Sequence, residues 1–265
     1  MIELKVKGQS YPIRGLLFDK DGTLMNFVAF WGKWCETLLH HFQDQLSRRK
    51  VTIPEEWIPL MFGIAFDEHG TIVVDYDRSG PLAMASTNEL LAILSWHAYR
   101  LGLPWHEAML IAQACQAAAE AEMEQLRPAQ PLSGLLPFLE QCRLLRLPLA
   151  VVTADETASA ELHLEWMEIR TFFQTVVGHD QVNLGKPNSE MVETACRRLQ
   201  LDPSEVAVIG DTNGDMRMGK SAGVALTIGI QPQTGFFQSQ IDLTEADIII
   251  SGYEQLELKF EEDKR

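Results

Sequence analysis

Apolar and polar positions alternate with two different periods along this chain, and the switch between them marks out its elements. Ile2, Leu4 and Val6 alternate with Glu3, Lys5 and Lys7, the two-residue period of a half-buried strand. Gly8-Gln9 offers a turn and Tyr11 to Ile13 resumes the extended pattern, so an edge hairpin is predicted to lead into an apolar strand, Arg14 to Phe18. From Leu132 onward, short apolar runs alternate with helical stretches. Strands are predicted at Leu149–Val152, Thr175–Val177, Val206–Ile209, Val224–Ile228 and Asp247–Ile250, and helices at Gly134–Leu145, Ala158–Glu168 and Glu190–Leu199. This alternation implies an α/β fold, a Rossmann-like parallel sheet with helices on both faces.

The interval between Phe18 and Leu149 breaks that rhythm. A strand–helix–strand crossover needs about 30 residues, and this interval is several times longer. Phe27 to Leu46 is apolar and aromatic at helical spacing, and Ser86-Thr87-Asn88-Glu89 matches a capping box ahead of Leu90–Tyr99. Pro104 opens a long Ala/Glu-rich helix that ends near Arg127-Pro128. Ile64 to Asp77 alternates around Glu68-His69-Gly70, the pattern of a hairpin. The expected organisation is a core of residues 1–25 and 131–265, interrupted by a mostly α-helical insertion, residues 26–130, that contains a β-hairpin.

Composition narrows the function more than the fold. The 265 residues are 46% hydrophobic, enough for a sizeable core. The net charge of −15, without a basic stripe, disfavours nucleic acid as a partner. No apolar run reaches the ~18 residues of a membrane-spanning helix. Met1 to Arg14 lacks the apolar run of a signal peptide. Cys35, Cys115, Cys142 and Cys196 are far apart with no C-x-x-C pair, as reduced thiols of a cytoplasmic protein would be.

The candidate chemistry sits at strand ends. Leu16-Leu17-Phe18 runs into Asp19-Lys20-Asp21-Gly22-Thr23, where two carboxylates two residues apart face the crevice beyond the sheet. Such a pair suits a hard divalent cation, and one member can act as a nucleophile. Thr153 ends the next strand, where its hydroxyl and the N–H of Ala154 are small neutral donors for a phosphoryl oxygen. Gly185-Lys186-Pro187 presents one ammonium from a stiff loop. Gly210-Asp211-Thr212-Asn213-Gly214-Asp215 adds two carboxylates at a third strand end. Asp211 is placed to touch a cation directly, and Asp215 to orient Lys186 or a bound water.

In this order, an acid pair, a threonine, a lysine and a second acid pair, these motifs resemble those of the haloacid dehalogenase superfamily. The likeness covers the whole core, and the insertion looks like the family's C1-type helical cap, as in phosphoglycolate phosphatase-like members. The resemblance implies a phosphatase for a small-molecule phosphomonoester. Asp19 would be the nucleophile that becomes an aspartyl-phosphate, and Asp21 the acid and base. Asp19, the Asp21 carbonyl and Asp211 would hold Mg²⁺; Thr153, Ala154 and Lys186 would hold the phosphoryl group; Thr23 and Asp215 would support them. An acid at position 21 argues against dehalogenation and against the Asp-Lys-Thr opening of membrane ATPases. Lys20 departs from the apolar neighbour common in family phosphatases and is read as structural. A sugar-phosphate mutase on the same core is the alternative, with a non-catalytic regulatory module behind it. The expected protein is a monomer or homodimer. Asn26, Phe27, Phe30, Trp31 and Lys33 are the nearest candidates for substrate contacts, although the three rings read first as core of the insertion.

Overall fold

The computed structural model describes residues 2–231 and 243–260, so the rest of the expected core lies outside the described residues. The chain forms two compact units, one made of Phe27–Pro128 and the other of the segments before and after it.

The second of these opens with strands β1 (Ile2–Val6) and β2 (Gln9–Ile13), joined through Gly8 at φ 81°. They pair antiparallel, Ile2 facing Ile13, as their alternation requires. They do not edge the main sheet. β1 also pairs along its whole length with the last described strand, Leu256–Phe260, to make a separate three-stranded sheet. Leu4, Val6, Ile13 and Leu256 bury its inner face. Strand β3 (Gly15–Phe18) then enters the main sheet.

The helical unit holds α1 (Lys33–Ser47), α2 (Trp57–Phe62), β4 (Ile64–Phe66), β5 (Val73–Tyr76), α3 (Pro81–Met84), α4 (Thr87–Arg100) and α5 (Trp105–Leu126). The predicted hairpin is present: β4 and β5 pair antiparallel, and the Asp67 carboxylate accepts the N–H groups of Thr71 and Ile72 at its turn. The capping box forms as read. Glu89 accepts the Ser86 N–H at 2.7 Å, and Ser86 Oγ accepts the Glu89 N–H at 3.4 Å. α1 and α4 pack on α5 around Leu38, Phe42, Leu94 and Ala112, all without exposed surface. Phe27 stacks on Tyr76, and Trp31 meets Trp34 edge to face.

Beyond the helical unit come α6 (Leu135–Leu144), β6 (Leu149–Val152), α7 (Thr157–Trp166), β7 (Thr175–Val177), α8 (Glu190–Leu199), β8 (Val206–Gly210), α9 (Asn213–Ala222), β9 (Leu226–Ile230), β10 (Ile248–Ile250) and β11 (Leu256–Phe260). Six strands form one parallel sheet in the order β10-β9-β8-β3-β6-β7. Its inner strands are buried throughout because helices cover both faces. Successive β3 side chains divide between those faces. Leu17 packs toward α8 with Met191 and Val192, and Phe18 meets Phe138 of α6, Phe173 and Tyr253 edge-on or tilted. β9 begins two residues later than its apolar run suggests, since Gly223 (φ 77°) ends α9 and Val224 and Ala225 complete the turn. All four cysteines are buried and unpaired, and no helix among the described residues is long and apolar enough to cross a membrane.

Candidate active site

Strands β6, β3 and β8 are neighbours, so Thr153, Asp19 and Asp211 leave the sheet side by side at its carboxyl edge. The Asp19 N–H still bonds the Ile209 carbonyl at 2.9 Å, which carries the β3–β8 ladder one step beyond the strand and fixes the Asp19 backbone. Lys186 donates to the Asp19 carboxylate and also pairs with Asp215 Oδ1 at 2.6 Å. Its loop is tied down by Glu190 in the first turn of α8, which accepts the N–H groups of Asn183 and Leu184 at 3.0 and 2.9 Å.

Asp215 is held by the start of α9. Thr212 caps that helix by accepting the Asp215 N–H at 3.3 Å. Asp215 Oδ2 accepts from the Thr212 N–H at 3.1 Å and its hydroxyl at 2.6 Å, which turns Oδ1 toward Lys186. Two glycines make room for this packing. Gly22 has φ 77°, and a Cβ there would sit 2.1 Å from Asp211 Oδ2. A Cβ on Gly210 would sit 2.4 Å from the Asp215 Cβ.

Carboxylate oxygens of Asp19, Asp211 and Asp215 come within 4.8 Å of one another. Burial pushes the Asp19 carboxyl up to about 7, although Lys186 pulls the other way. Burial, followed by the charges of Asp19 and Asp215, raises Asp211 well above the carboxylate range. For Lys186 burial works against the ammonium, but Asp19 and Asp215 outweigh it and raise its pKa. Three acids thus gather around one ammonium, and the ligand atoms they offer are all carboxylate oxygens. That donor set fits a hard divalent ion such as Mg²⁺.

The remaining predicted residues lie around this cluster. Thr153 is buried; its N–H bonds the Val177 carbonyl at 3.0 Å and its hydroxyl oxygen accepts the Asp155 N–H at 3.2 Å. Ala154 beside it is exposed. Thr23 is buried and its carbonyl accepts the Tyr253 hydroxyl at 3.1 Å, a brace that the sequence reading missed. The Asp21 carboxylate stands outside the three-acid cluster and pairs with Lys20 at 2.7 Å. Lys20 itself has no exposed surface and also contacts Asp155 and His163, two residues not singled out from sequence. A signal for His163 was present: it shares the apolar stripe of α7 with Ala160 and Leu164.

Comparison with known families decides what this geometry belongs to. The model of the haloacid dehalogenase-like hydrolases matches residues 13–223. The chain belongs to that family. Among the relatives of this hydrolase is phosphoglycolate phosphatase of Shigella boydii serotype 4, 26% identical over 73% of this chain and 90% of its own length. Validoxylamine A 7'-phosphate phosphatase of Streptomyces hygroscopicus subsp. limoneus is 30% identical over 41% of this chain, a match spanning about half, 51%, of that protein. A haloacid dehalogenase-superfamily hydrolase of subfamily IA from Geobacter sulfurreducens shares the fold with a TM-score of 0.62 at 18% identity, over 91% of this chain and 93% of that one.

Proposed function

We propose that this haloacid dehalogenase-like hydrolase is a Mg²⁺-dependent phosphatase of small phosphomonoesters, of the phosphoglycolate phosphatase type. The observation that carries the reading is the Asp19–Lys186–Asp215 chain beside Asp211. It is a buried carboxylate at a strand end, already aligned by an ammonium, within a family of hydrolases. Relatives named as phosphatases support the ester class.

In this reading an Asp19 oxygen attacks phosphorus and the bond from phosphorus to the ester oxygen breaks. The departing oxygen takes a proton from Asp21. Water then attacks the phosphorus of the Asp19 acyl phosphate, gives its proton to Asp21, and releases phosphate with Asp19 regenerated. Thr153, the Ala154 N–H and Lys186 hold the phosphoryl oxygens, and Asp215 keeps Lys186 aimed at them. Asp19, Asp211 and the Asp21 carbonyl would hold the Mg²⁺. When bound, the ion neutralises charge on the carboxylates and the phosphoryl oxygens. The unit Phe27–Pro128 is proposed as the family's helical cap, and the protein as cytoplasmic.

The test is phosphate release from p-nitrophenyl phosphate and a panel of small metabolite phosphates, phosphoglycolate first. Asp19→Asn should lower it by at least about 10³-fold without loss of fold. Activity near wild type would overturn the mechanism, and interconversion of phosphate isomers with little free phosphate would favour the mutase.

A further inference from the structure

The mechanism above uses Asp21 as proton carrier but gives no role to its neighbour. Lys20 is fully buried, and a buried ammonium costs several kcal/mol unless its protons are matched. An ammonium has three N–H donors, and three groups surround Lys20 Nζ. Asp21 Oδ1 at 2.7 Å and His163 Nδ1 at 3.2 Å are hydrogen-bonded to it, and Asp155 Oδ2, at 3.3 Å, is its ion-pair partner. Burial and the Lys20 charge push the His163 imidazole down to about 3, so it is neutral and Nδ1 accepts. The 3.6 Å approach of that nitrogen to Asp155 Oδ2 is therefore two acceptors flanking one ammonium, not a second ion pair.

Two of these three partners come from a different part of the chain than Lys20. Asp155 follows β6, where its carbonyl accepts the His179 N–H at 3.0 Å, and His163 lies on α7 with its ring against Trp166. The ammonium is thus pinned to the β6–α7 segment, and one of its protons is delivered to Asp21. Charge balance for Asp155 alone would not call for this arrangement, since a buried ion pair is commonly replaced by apolar groups without loss. We propose that Lys20 is a positioning residue for the reaction: anchored by Asp155 and His163, it holds the Asp21 carboxyl by Oδ1 in the orientation needed for proton transfer. This rests on the phosphatase reading and on Asp21 as its acid and base.

The prediction separates esters by leaving group, because an alkoxide needs the Asp21 proton to depart and p-nitrophenolate does not. kcat/KM reports the steps through departure of the leaving group. Lys20→Met alone strands the Asp155 charge, so the deciding variant is Lys20→Met/Asp155→Asn, which removes both charges together. We expect its kcat/KM to fall by about 10²-fold for the best alkyl phosphate substrate and by less than about 10-fold for p-nitrophenyl phosphate. Asp21→Asn should give the same pattern. Wild-type rates on both esters, equal losses on both, or failure of the double variant to fold would make Lys20 structural only and overturn the proposal. A wild-type protein that releases phosphate from neither ester would instead overturn the phosphatase reading.

Discussion

Asp19 and Lys20 are neighbours in the chain, yet their side chains enter two buried charge clusters of different design. Around Asp19, three carboxylates share the single ammonium of Lys186, and Asp211 is pushed far up by burial and by its acidic neighbours. Around Lys20, one ammonium is bonded to a carboxylate and a neutral imidazole and paired with a second carboxylate. Burial raises Asp155 there too, but Lys20 opposes it directly. The first cluster holds three carboxylates to one ammonium, and a bound cation would relieve that excess. The second holds two, Asp21 and Asp155, and its ammonium is paired with both. A buried acid group marks a candidate cation site when it outnumbers the ammonium's ion pairs, and a brace when it does not.

The largest test of this contrast is removal of each lysine. Lys20→Met should cost about 1–3 kcal/mol of stability, because the partly buried Asp155 is left without its ion-pair partner. Mg²⁺ should not restore it. Lys186→Met should lower phosphate release about 10²- to 10³-fold, and its thermal midpoint should recover as Mg²⁺ is added. Thermal unfolding with and without Mg²⁺ checks both, and an equal response of the two variants would erase the distinction.

A second, smaller effect lies in pH. The Asp19 carboxyl titrates near 3.8 when unfolded and about 7 in the folded chain, so between those values the folded state holds the extra proton. Its contribution to stability is fully present below the unfolded value and is lost as pH rises through about 7. Asp211 acts in the same direction. In chelator-treated protein the midpoint should therefore fall as pH rises across this window, and saturating Mg²⁺ should flatten the slope. A slope indifferent to Mg²⁺ would detach these acids from metal binding. The smallest change is Thr212→Ala, which removes the cap of α9 and one anchor of Asp215. About 1 kcal/mol of stability and a few-fold loss of phosphate release are expected, read by denaturant unfolding and by steady-state assay.

The parallel sheet was legible because its strands need no partner to be recognised. Leu16–Phe18, Leu149–Val152 and Val206–Ile209 are continuous apolar runs with chemistry at their ends. The antiparallel sheet was only half legible. Leu256–Phe260 alternates strictly, apolar at 256, 258 and 260 and charged at 257 and 259, and went unread as a strand; its pairing with β1 at the other end of the chain is what no local pattern encodes. The short helices α2 and α3 have too few turns for a period to stand out. At the site, Asp19, Thr153 and Asp211 were found because each directly follows a strand, and Lys186 and Asp215 because short motifs carry them. Asp155 and His163 were not, because their meeting with Lys20 joins segments more than a hundred residues apart. Lys20 read as structural on the grounds of strand alternation, but alternation says which way a side chain leaves and not what it finds there.

The four buried cysteines have a practical consequence. Burial pushes the thiol of Cys115 up to about 11 and those of Cys142 and Cys196 to about 12, and it raises Cys35 further still. None offers a reactive thiolate to an alkylating reagent at neutral pH while its surroundings stay closed. Cys35 and Cys115 belong to the helical unit, and Cys142 and Cys196 to the other. The chain therefore carries two pairs of built-in tags, and the order in which they become labelled on gentle heating records which unit opens first.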